Sequence, residues 1–194
     1  MNEIFRRIWK LAKPYYEKGR HYDIPHIEWM MKEADRIADI EKLDKNILLP
    51  ICILHDVGYF AVKEKNPDSK NEEYKKIHMK EGAKIADKIL TEVNYDPDLK
   101  NKIVYYISVH DNWLFGDDSP YRECKEMALF NDLDFLYMFS TKESFNMINK
   151  GMGLNSKEGI DFWIKDEKLT RRPFCCEETK KMWKRFIKER KRDS

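Results

Sequence analysis

The sequence predicts an all-α protein. Apolar residues recur at intervals of three and four along most of the chain, which is the pattern of helices that bury one face. Seven Gly and seven Pro in 194 residues are few for a β-rich protein with many turns. A chain of this length fits one domain with a sizeable core, so we expect a single domain over residues 1–194.

Two amphipathic helices are predicted at the start of the chain. The first covers residues 2–18, and Pro14 marks a bend or an early stop in it. Asp23 followed by Pro25 has the pattern of an N-cap with proline in the first turn. The second helix then runs to about Leu43, with apolar residues at helical spacing.

The third predicted helix is the most apolar of the chain. Asp44 can cap it, and it runs over Ile47–Val57 with apolar residues almost all round, which is typical of a central helix. Gly58 supplies its C-cap. A polar loop at residues 62–70 follows, and then a long helix over residues 71–92.

The rest of the chain is also read as helices. Asp96-Pro97 opens a helix that reaches His110, and Ser119-Pro120 opens the next, whose apolar run over residues 127–139 is buried in character. Shorter helices are expected after residue 141, with starts near Thr141, Asn155 or Ser156, and Glu177.

Composition narrows the function classes. The net charge is +2, from 37 basic and 35 acidic residues, which gives no strong nucleic-acid signal and no attraction to a membrane surface. No apolar stretch approaches about 18 residues, so no membrane span is expected. The four cysteines form no C-x-x-C pair, and a reducing, cytoplasmic location is the expected compartment. Ten Tyr, ten Phe and five Trp leave room for an aromatic homodimer interface.

Histidines and aspartates fall on the inward faces of separate predicted helices. A buried carboxylate is costly unless something pairs with it, and His55-Asp56 stands inside the most apolar run. A lone histidine on an apolar face is more often a hydrogen-bonded core residue. A set spread over several helices is instead the way in which helical proteins build metal sites. The set consists of His26, His55, Asp56, His78, His110 and Asp132. His21 is expected at the surface, and Asp134 is expected at most to orient a ligand.

This ordered set resembles the HD-domain superfamily of all-α, metal-dependent phosphohydrolases, named for the adjacent His-Asp pair. The resemblance spans roughly residues 20–140, and the helices of residues 141–194 lie outside it. It rests on five segments: DIPHIEWMMKEA, ILLPICILHDVGYF, HMKEGAKIADKIL, IVYYISVHD and LFNDLDFLYMF. The chain departs from many relatives at Trp29, where they carry arginine, and after Asp132-Leu-Asp134, where they continue differently.

The resemblance implies a ligand set and a role for each member. The first metal is expected on His26, His55, Asp56 and Asp132. Asp56 would bridge to a second ion held by His78 and His110, which line the substrate phosphate site in relatives with one metal. Asp56, His78 and His110 are therefore the expected catalytic residues. Imidazole and carboxylate ligands suit Mn, Fe, Mg, Co, Ni or Zn, as one or two ions.

The predicted function is hydrolysis of a nucleotide or another small phosphate ester by a metal-activated water. Lys63, Lys65 and Arg122 are candidates for binding the phosphates. One alternative is an HD-type diiron oxygenase that cleaves a C–C or C–P bond, since a few relatives use the same ligand pattern with two irons. Another is a catalytically inactive HD fold that serves only as a binding module.

Overall fold

The protein is helical, as the sequence predicts. A computed structural model describes residues 2–65 and 72–193, with the backbone alone at residues 63–65, and these residues contain no strand. They form three 3-10 segments, at His21–Asp23, Val57–Lys65 and Asn112–Phe115. The α-helices among them are α1 (Glu3–Lys18), α2 (Ile24–Glu41), α3 (Lys45–Leu54), α4 (Glu72–Glu92), α5 (Pro97–Ser108), α6 (Ser119–Glu123), α7 (Lys125–Ser140), α8 (Lys142–Gly151), α9 (Ser156–Trp163), α10 (Lys168–Arg171) and α11 (Glu177–Asp193).

The chain divides into two compact units, residues 1–127 and 128–194. In the N-terminal unit α4 packs against α5 and against the 3-10 segment Val57–Lys65. Helix α3 packs against α1, α2 and α5, so it has neighbours on several sides. All of its residues from Ile47 to Leu54 are buried, which confirms the prediction of a central helix.

The start of α3 was predicted correctly from the sequence, but its end was not. The Asp44 side chain accepts a hydrogen bond from the Asn46 backbone N–H, as an N-cap should. The helix ends at Leu54, three residues before the predicted end, and continues as the 3-10 segment. An 18-residue window over Lys45–Val62 is long and apolar enough to cross a membrane by composition, which corrects the expectation that no stretch approaches this length. However, 78% of that window is buried inside the protein, as the core helix of a soluble domain would be.

Gly58 does not cap α3, and its role is close packing. A Cβ at this position would lie 1.9 Å from the backbone oxygen of His78 and 2.5 Å from the backbone nitrogen of Gly82. Only glycine lets the 3-10 segment approach the backbone of α4 this closely. The contact brings the chain that follows Asp56 against the helix that carries His78.

Two other local predictions need correction. Helix α1 runs through Pro14, so the predicted early stop is wrong, and the alternative of a bend stays a prediction. Helix α2 begins directly after Asp23, but the Asp23 side chain caps no backbone N–H. It is buried and accepts a hydrogen bond from Arg20. The polar loop predicted at residues 62–70 begins inside the 3-10 segment, and the rest of it, with Asn71, lies outside the described residues.

The C-terminal unit has its own buried interior. Helix α11 packs against α8 and α9, which also pack against each other. Thr141 caps α8 through the Ser144 backbone N–H, and Asn155 caps α9 in a reciprocal capping box. Aromatic rings cluster around Phe135 and Phe139 of α7, with centroid separations of 5.0–6.2 Å to Trp163, Phe174 and Trp183.

Candidate metal centre

Five of the six predicted ligands lie in the N-terminal unit, and all five are buried. His26 stands on α2, and His55 and Asp56 follow the last residue of α3. His78 stands on α4, and His110 lies two residues beyond the end of α5, where the sequence predicted that the helix would still continue. Their side chains meet because α2 and α5 pack against α3, and α4 packs against α5 and the 3-10 segment that follows Asp56.

The carboxylate of Asp56 faces imidazoles through both of its oxygens. Oδ2 lies 3.4 Å from Nε2 of His55. Oδ1 lies 3.7 Å from Nε2 of His78 and 3.5 Å from Nε2 of His110. Each oxygen is thus turned toward a different part of the cluster, which is the arrangement of a carboxylate that can bridge two cations.

His78 and His110 approach each other closely. Their Nε2 atoms are 3.1 Å apart, and Nδ1 of His110 lies 2.7 Å from the Ile107 carbonyl oxygen. The carbonyl can only accept, so Nδ1 of His110 carries the proton and Nε2 presents a lone pair. Nδ1 of His78 is buried and has no hydrogen-bond partner among the described residues. Either tautomer of His78 therefore leaves one ring nitrogen unsatisfied, and a cation at the two Nε2 atoms would relieve the facing lone pairs.

A backbone carbonyl also orients the ring of His55. Nδ1 of His55 lies 3.1 Å from the Cys52 carbonyl oxygen, so this nitrogen donates and Nε2 is turned toward Asp56. The His55 ring lies edge-on to the rings of His26 and His110, with both centroid separations at 5.4 Å. Such outer hydrogen bonds fix the tautomer and orientation of metal-binding histidines.

The electrostatics keep these groups in the form that binds metal. Burial acts to raise the pKa of Asp56, but His55 and His110 hold it well below the usual value for aspartate. Burial, with the neighbouring His110, lowers the pKa of His78 to about 3. At neutral pH the cluster therefore presents an ionised carboxylate beside a neutral imidazole, the two forms that coordinate divalent ions.

The donor set fits a divalent metal. One ligand atom each from Asp56, His78 and His110 lies within 4.8 Å of the others. A second group, Asp23, His26 and Asp56, meets the same condition. Ligand atoms around one ion of about 2.1 Å bond length lie at most about 4.2 Å apart, so small adjustments bring each group onto an ion. Nitrogen and carboxylate oxygen ligands without thiolate suit Mn, Fe, Co, Ni or Zn.

The comparison with protein families agrees with this geometry. A family model described as HD domain matches residues 24–118. Residues 24–118 belong to the HD-domain superfamily. Members of this superfamily are mostly metal-dependent hydrolases. Searches of the curated proteins and of the solved structures returned no significant match.

The HD domain contains charged residues at this site that the sequence analysis did not select. Asp111 follows His110 directly, so the chain carries a second His-Asp dipeptide, and this was the signal available in the sequence. Its Oδ2 accepts from Nζ of Lys75 at 2.7 Å and lies 3.5 Å from Nε2 of His78. Burial acts to raise the pKa of Asp111, but Lys75 and the histidines hold it below the usual value. Asp23 is a further buried carboxylate, paired with Arg20 at 2.9 Å.

Tyr59 connects two cations to this site in the HD domain. Its ring stacks on the imidazole of His78, with centroids 4.1 Å apart and planes at 9°. The guanidinium of Arg20 lies 3.9 Å from the centroid of the Tyr59 ring, and Nζ of Lys75 lies 5.5 Å from it. Both cations are only partly exposed, at 26% and 18% of their side-chain surface. They form a positive rim beside the histidine cluster.

Asp132 lies in the C-terminal unit and is fully engaged there. Nζ of Lys168 donates to its Oδ1. The Cys175 backbone N–H and the Thr179 hydroxyl both donate to Oδ2, each at 2.8 Å. A metal at Asp132 would have to replace such contacts, so its predicted role as a ligand stays a prediction. Asp134 is half-buried on the same helix.

The remaining candidates from the sequence have other positions. His21 is exposed, as predicted. Arg122 is 69% exposed and pairs with Asp118 at 3.6 Å, which is ordinary for a surface ion pair. The side chains of Lys63 and Lys65 lie outside the described residues.

Proposed function

We propose that the protein is a metal-dependent phosphohydrolase that acts on a nucleotide or another small phosphate ester. The observation that carries the proposal is the Asp56 carboxylate, buried in an HD domain, with its oxygens directed at different imidazoles. An ionised carboxylate in such a place needs a compensating cation. His26, His55, Asp56, His78 and His110 form the proposed ligand set.

The division of roles follows from the contacts. A bound divalent ion lowers the pKa of a bound water from 15.7 to roughly 7 and polarises a phosphoryl oxygen. Asp56 supplies the negative charge that holds the ions, and its two oxygens suit a bridging position. The carbonyls of Cys52 and Ile107 hold the rings of His55 and His110 with Nε2 inward. His78 stays neutral over the physiological pH range and is fixed in orientation by the Tyr59 ring.

The positive rim supports an anionic substrate. Arg20 and Lys75 lie on the Tyr59 ring, which itself stacks on His78, so their charges lie beside the cluster. A guanidinium and an ammonium are the side chains that bind phosphate oxygens best. Each retains a carboxylate partner, Asp23 or Asp111, that holds its stem in position. We propose that both cations contact the substrate phosphate.

The test of the proposed function is phosphate release from a panel of nucleotides and simple phosphate esters, with Mn²⁺ added to metal-free protein. We expect turnover that is abolished by chelation and reduced at least about 100-fold by Asp56→Asn. The matched control is Asp98→Asn, which changes an exposed aspartate on α5 and should leave the rate unchanged. No turnover with any member of the panel, in protein shown to contain metal, would contradict the proposal.

The bridging geometry of Asp56 also favours a second candidate, an oxygenase with two irons. Two ions at this site suit either chemistry, and the identity of the metal separates them. Two irons per chain with oxygen uptake on a polyol or phosphonate panel would support the oxygenase. A catalytically inactive binding module is the third candidate. It would be supported if the parent showed neither turnover nor oxygen uptake while Asp56→Ala kept full stability and ligand binding.

A further inference from the structure

Asp23 is a buried carboxylate in which one of the two oxygens has no hydrogen-bond partner among the described residues. It ends the 3-10 segment His21–Asp23, directly before the helix that carries His26, and only 3% of its surface is exposed. Its Oδ1 accepts a hydrogen bond from Arg20 Nη2 at 2.9 Å. Its Oδ2 is buried and has no hydrogen-bond partner among the described residues. Buried carboxylate oxygens without a partner are rare because desolvation makes them costly.

The neighbours of Asp23 are metal-ligand atoms. One carboxylate oxygen of Asp23, one ring nitrogen of His26 and one oxygen of Asp56 all lie within 4.8 Å of one another. Two carboxylates at this separation repel each other unless a cation lies between them. Arg20 contacts only one of the two carboxylates at ion-pair distance, through Oδ1 of Asp23.

We infer that Asp23 is an additional ligand of the metal centre, on the side of His26, an inference that rests on the metal centre of the proposed function. The ordered His-Asp pattern of the sequence does not include this residue. With Asp23, the ion on that side has two carboxylates among its ligands besides the imidazoles. Carboxylate ligands of this kind suit harder ions such as Mn²⁺ and Mg²⁺.

A merely structural account gives Asp23 the task of holding Arg20. That account explains Oδ1 but leaves Oδ2 unexplained. It also gives a different expectation, because removal of Arg20 should then affect the metal as much as removal of the Asp23 charge. The guanidinium has a second support in the Tyr59 ring, at 3.9 Å. The two accounts can therefore be separated with matched variants.

The experiment measures the affinity of metal-free protein for Mn²⁺ by titration calorimetry, and the visible absorption of the Co²⁺-loaded protein. The variants are Asp23→Asn, which keeps the shape and an acceptor for Arg20, and Arg20→Gln. We expect Asp23→Asn to weaken Mn²⁺ binding at least about tenfold and to change the Co²⁺ spectrum. Arg20→Gln should bind Mn²⁺ as tightly as the parent or more tightly, because it removes a competing positive charge.

Equal Mn²⁺ affinity in Asp23→Asn and the parent would overturn the inference, as would an equal loss in Arg20→Gln. Asp56→Asn separates this failure from a failure of the proposed function. If Asp56→Asn also binds Mn²⁺ normally, the metal centre itself is wrong. Should Asp23→Asn fail to fold without metal, Asp23→Glu takes its place. If Asp23→Glu still binds metal but its Co²⁺ spectrum differs from that of the parent, Asp23 is supported as a ligand. An unaltered Co²⁺ spectrum refutes that role.

Discussion

Asp56 and Asp132 are both buried aspartates, but their charges are compensated in different ways. Asp132 has a lysine of its own unit, Lys168, together with a backbone N–H and a hydroxyl. Asp56 has imidazoles, and no lysine or arginine among the described residues lies within ion-pair distance of it. One carboxylate is compensated by a lysine of the chain, and we propose that a metal ion from solution compensates the other.

The difference shows that buried aspartates in one chain can have different roles: Asp132 has a structural role, and Asp56 has the proposed metal-binding role. Lys168 is part of the chain, so the Asp132 cluster has its cation whether or not a metal is bound. Imidazole nitrogens and a carboxylate are metal ligands, so on the proposed function the Asp56 cluster is complete only when metal is bound. Lys75 and Asp111 are an intermediate case, because they form an ion pair of the chain at the edge of the metal centre.

The largest expected effect is on the Asp132 cluster. Lys168→Met leaves the Asp132 carboxylate buried without its cation, and we expect a loss of about 3–5 kcal/mol in the free energy of unfolding. Thermal and urea unfolding measure this loss. In the double variant with Asp132→Asn, part of it should return, since no buried charge remains. An unchanged stability in Lys168→Met would mean that the cluster is not compensated in this way.

The next effect concerns the approach of the 3-10 segment to α4. Gly58→Ala would place a Cβ 1.9 Å from the His78 backbone oxygen, so the segment has to move. We expect a destabilisation of roughly 3 kcal/mol and weaker metal binding, measured by unfolding and by metal content. Gly151→Ala is the control, because no atom outside its helix lies within 4 Å of its added Cβ. If both variants behave alike, the close approach has no role in building the site.

A pH dependence follows from Asp23 in the metal-free protein. Burial raises the pKa of Asp23 to about 6, although Arg20 acts in the opposite direction. A group whose pKa is raised by folding stabilises the fold below its unfolded pKa and loses this contribution as pH rises through the folded pKa. Metal-free parent should therefore lose roughly 2 kcal/mol relative to Asp23→Asn between pH 4 and pH 6. Parallel stability curves for the two proteins over this range would contradict the assignment.

The smallest effect is expected at the positive rim. The double variant Lys75→Met with Asp111→Asn removes one cation from the Tyr59 ring without leaving a buried carboxylate unpaired, and it should raise the KM for a phosphate substrate about tenfold while metal content stays unchanged. Lys76→Met is the matched control, because Lys76 is 63% exposed and its ion-pair partner is the equally exposed Glu72. An equal KM for the double variant and the parent would remove Lys75 from the proposed substrate contacts.

The features that could be predicted from the sequence are those set by local spacing, namely helix positions and N-caps. The apolar periodicity located most of the helices, and Asp44 and Asp96 cap α3 and α5 as expected. The four histidines and Asp56 are buried, as expected of residues on or beside apolar helix faces, and their role as metal ligands stays a prediction. Propensity and spacing were sufficient for these features, since they depend on residues a few positions apart.

Features that depend on distant residues could not be predicted in this way. Asp111 pairs with Lys75, which lies far from it in the sequence, and Asp132 with Lys168 on another helix. Asp23 has the sequence of an N-cap, but burial beside Arg20 decides its contacts. Gly58 follows a helix as a C-cap does, and its close contact with α4 depends on how the two segments pack.

The central claim is that a metal ion compensates Asp56, whereas Lys168 compensates Asp132. The most direct test is the Mn²⁺-dependent rise in unfolding temperature of the parent, of Asp56→Asn, and of the double variant Asp132→Asn with Lys168→Met. Free Mn²⁺ at 100 times the Kd should stabilise the parent by about 2.7 kcal/mol. We predict the same rise in the double variant and none in Asp56→Asn. A rise that survives in Asp56→Asn, or disappears in the double variant, would contradict the account, and the latter result would make Asp132 a metal ligand after all.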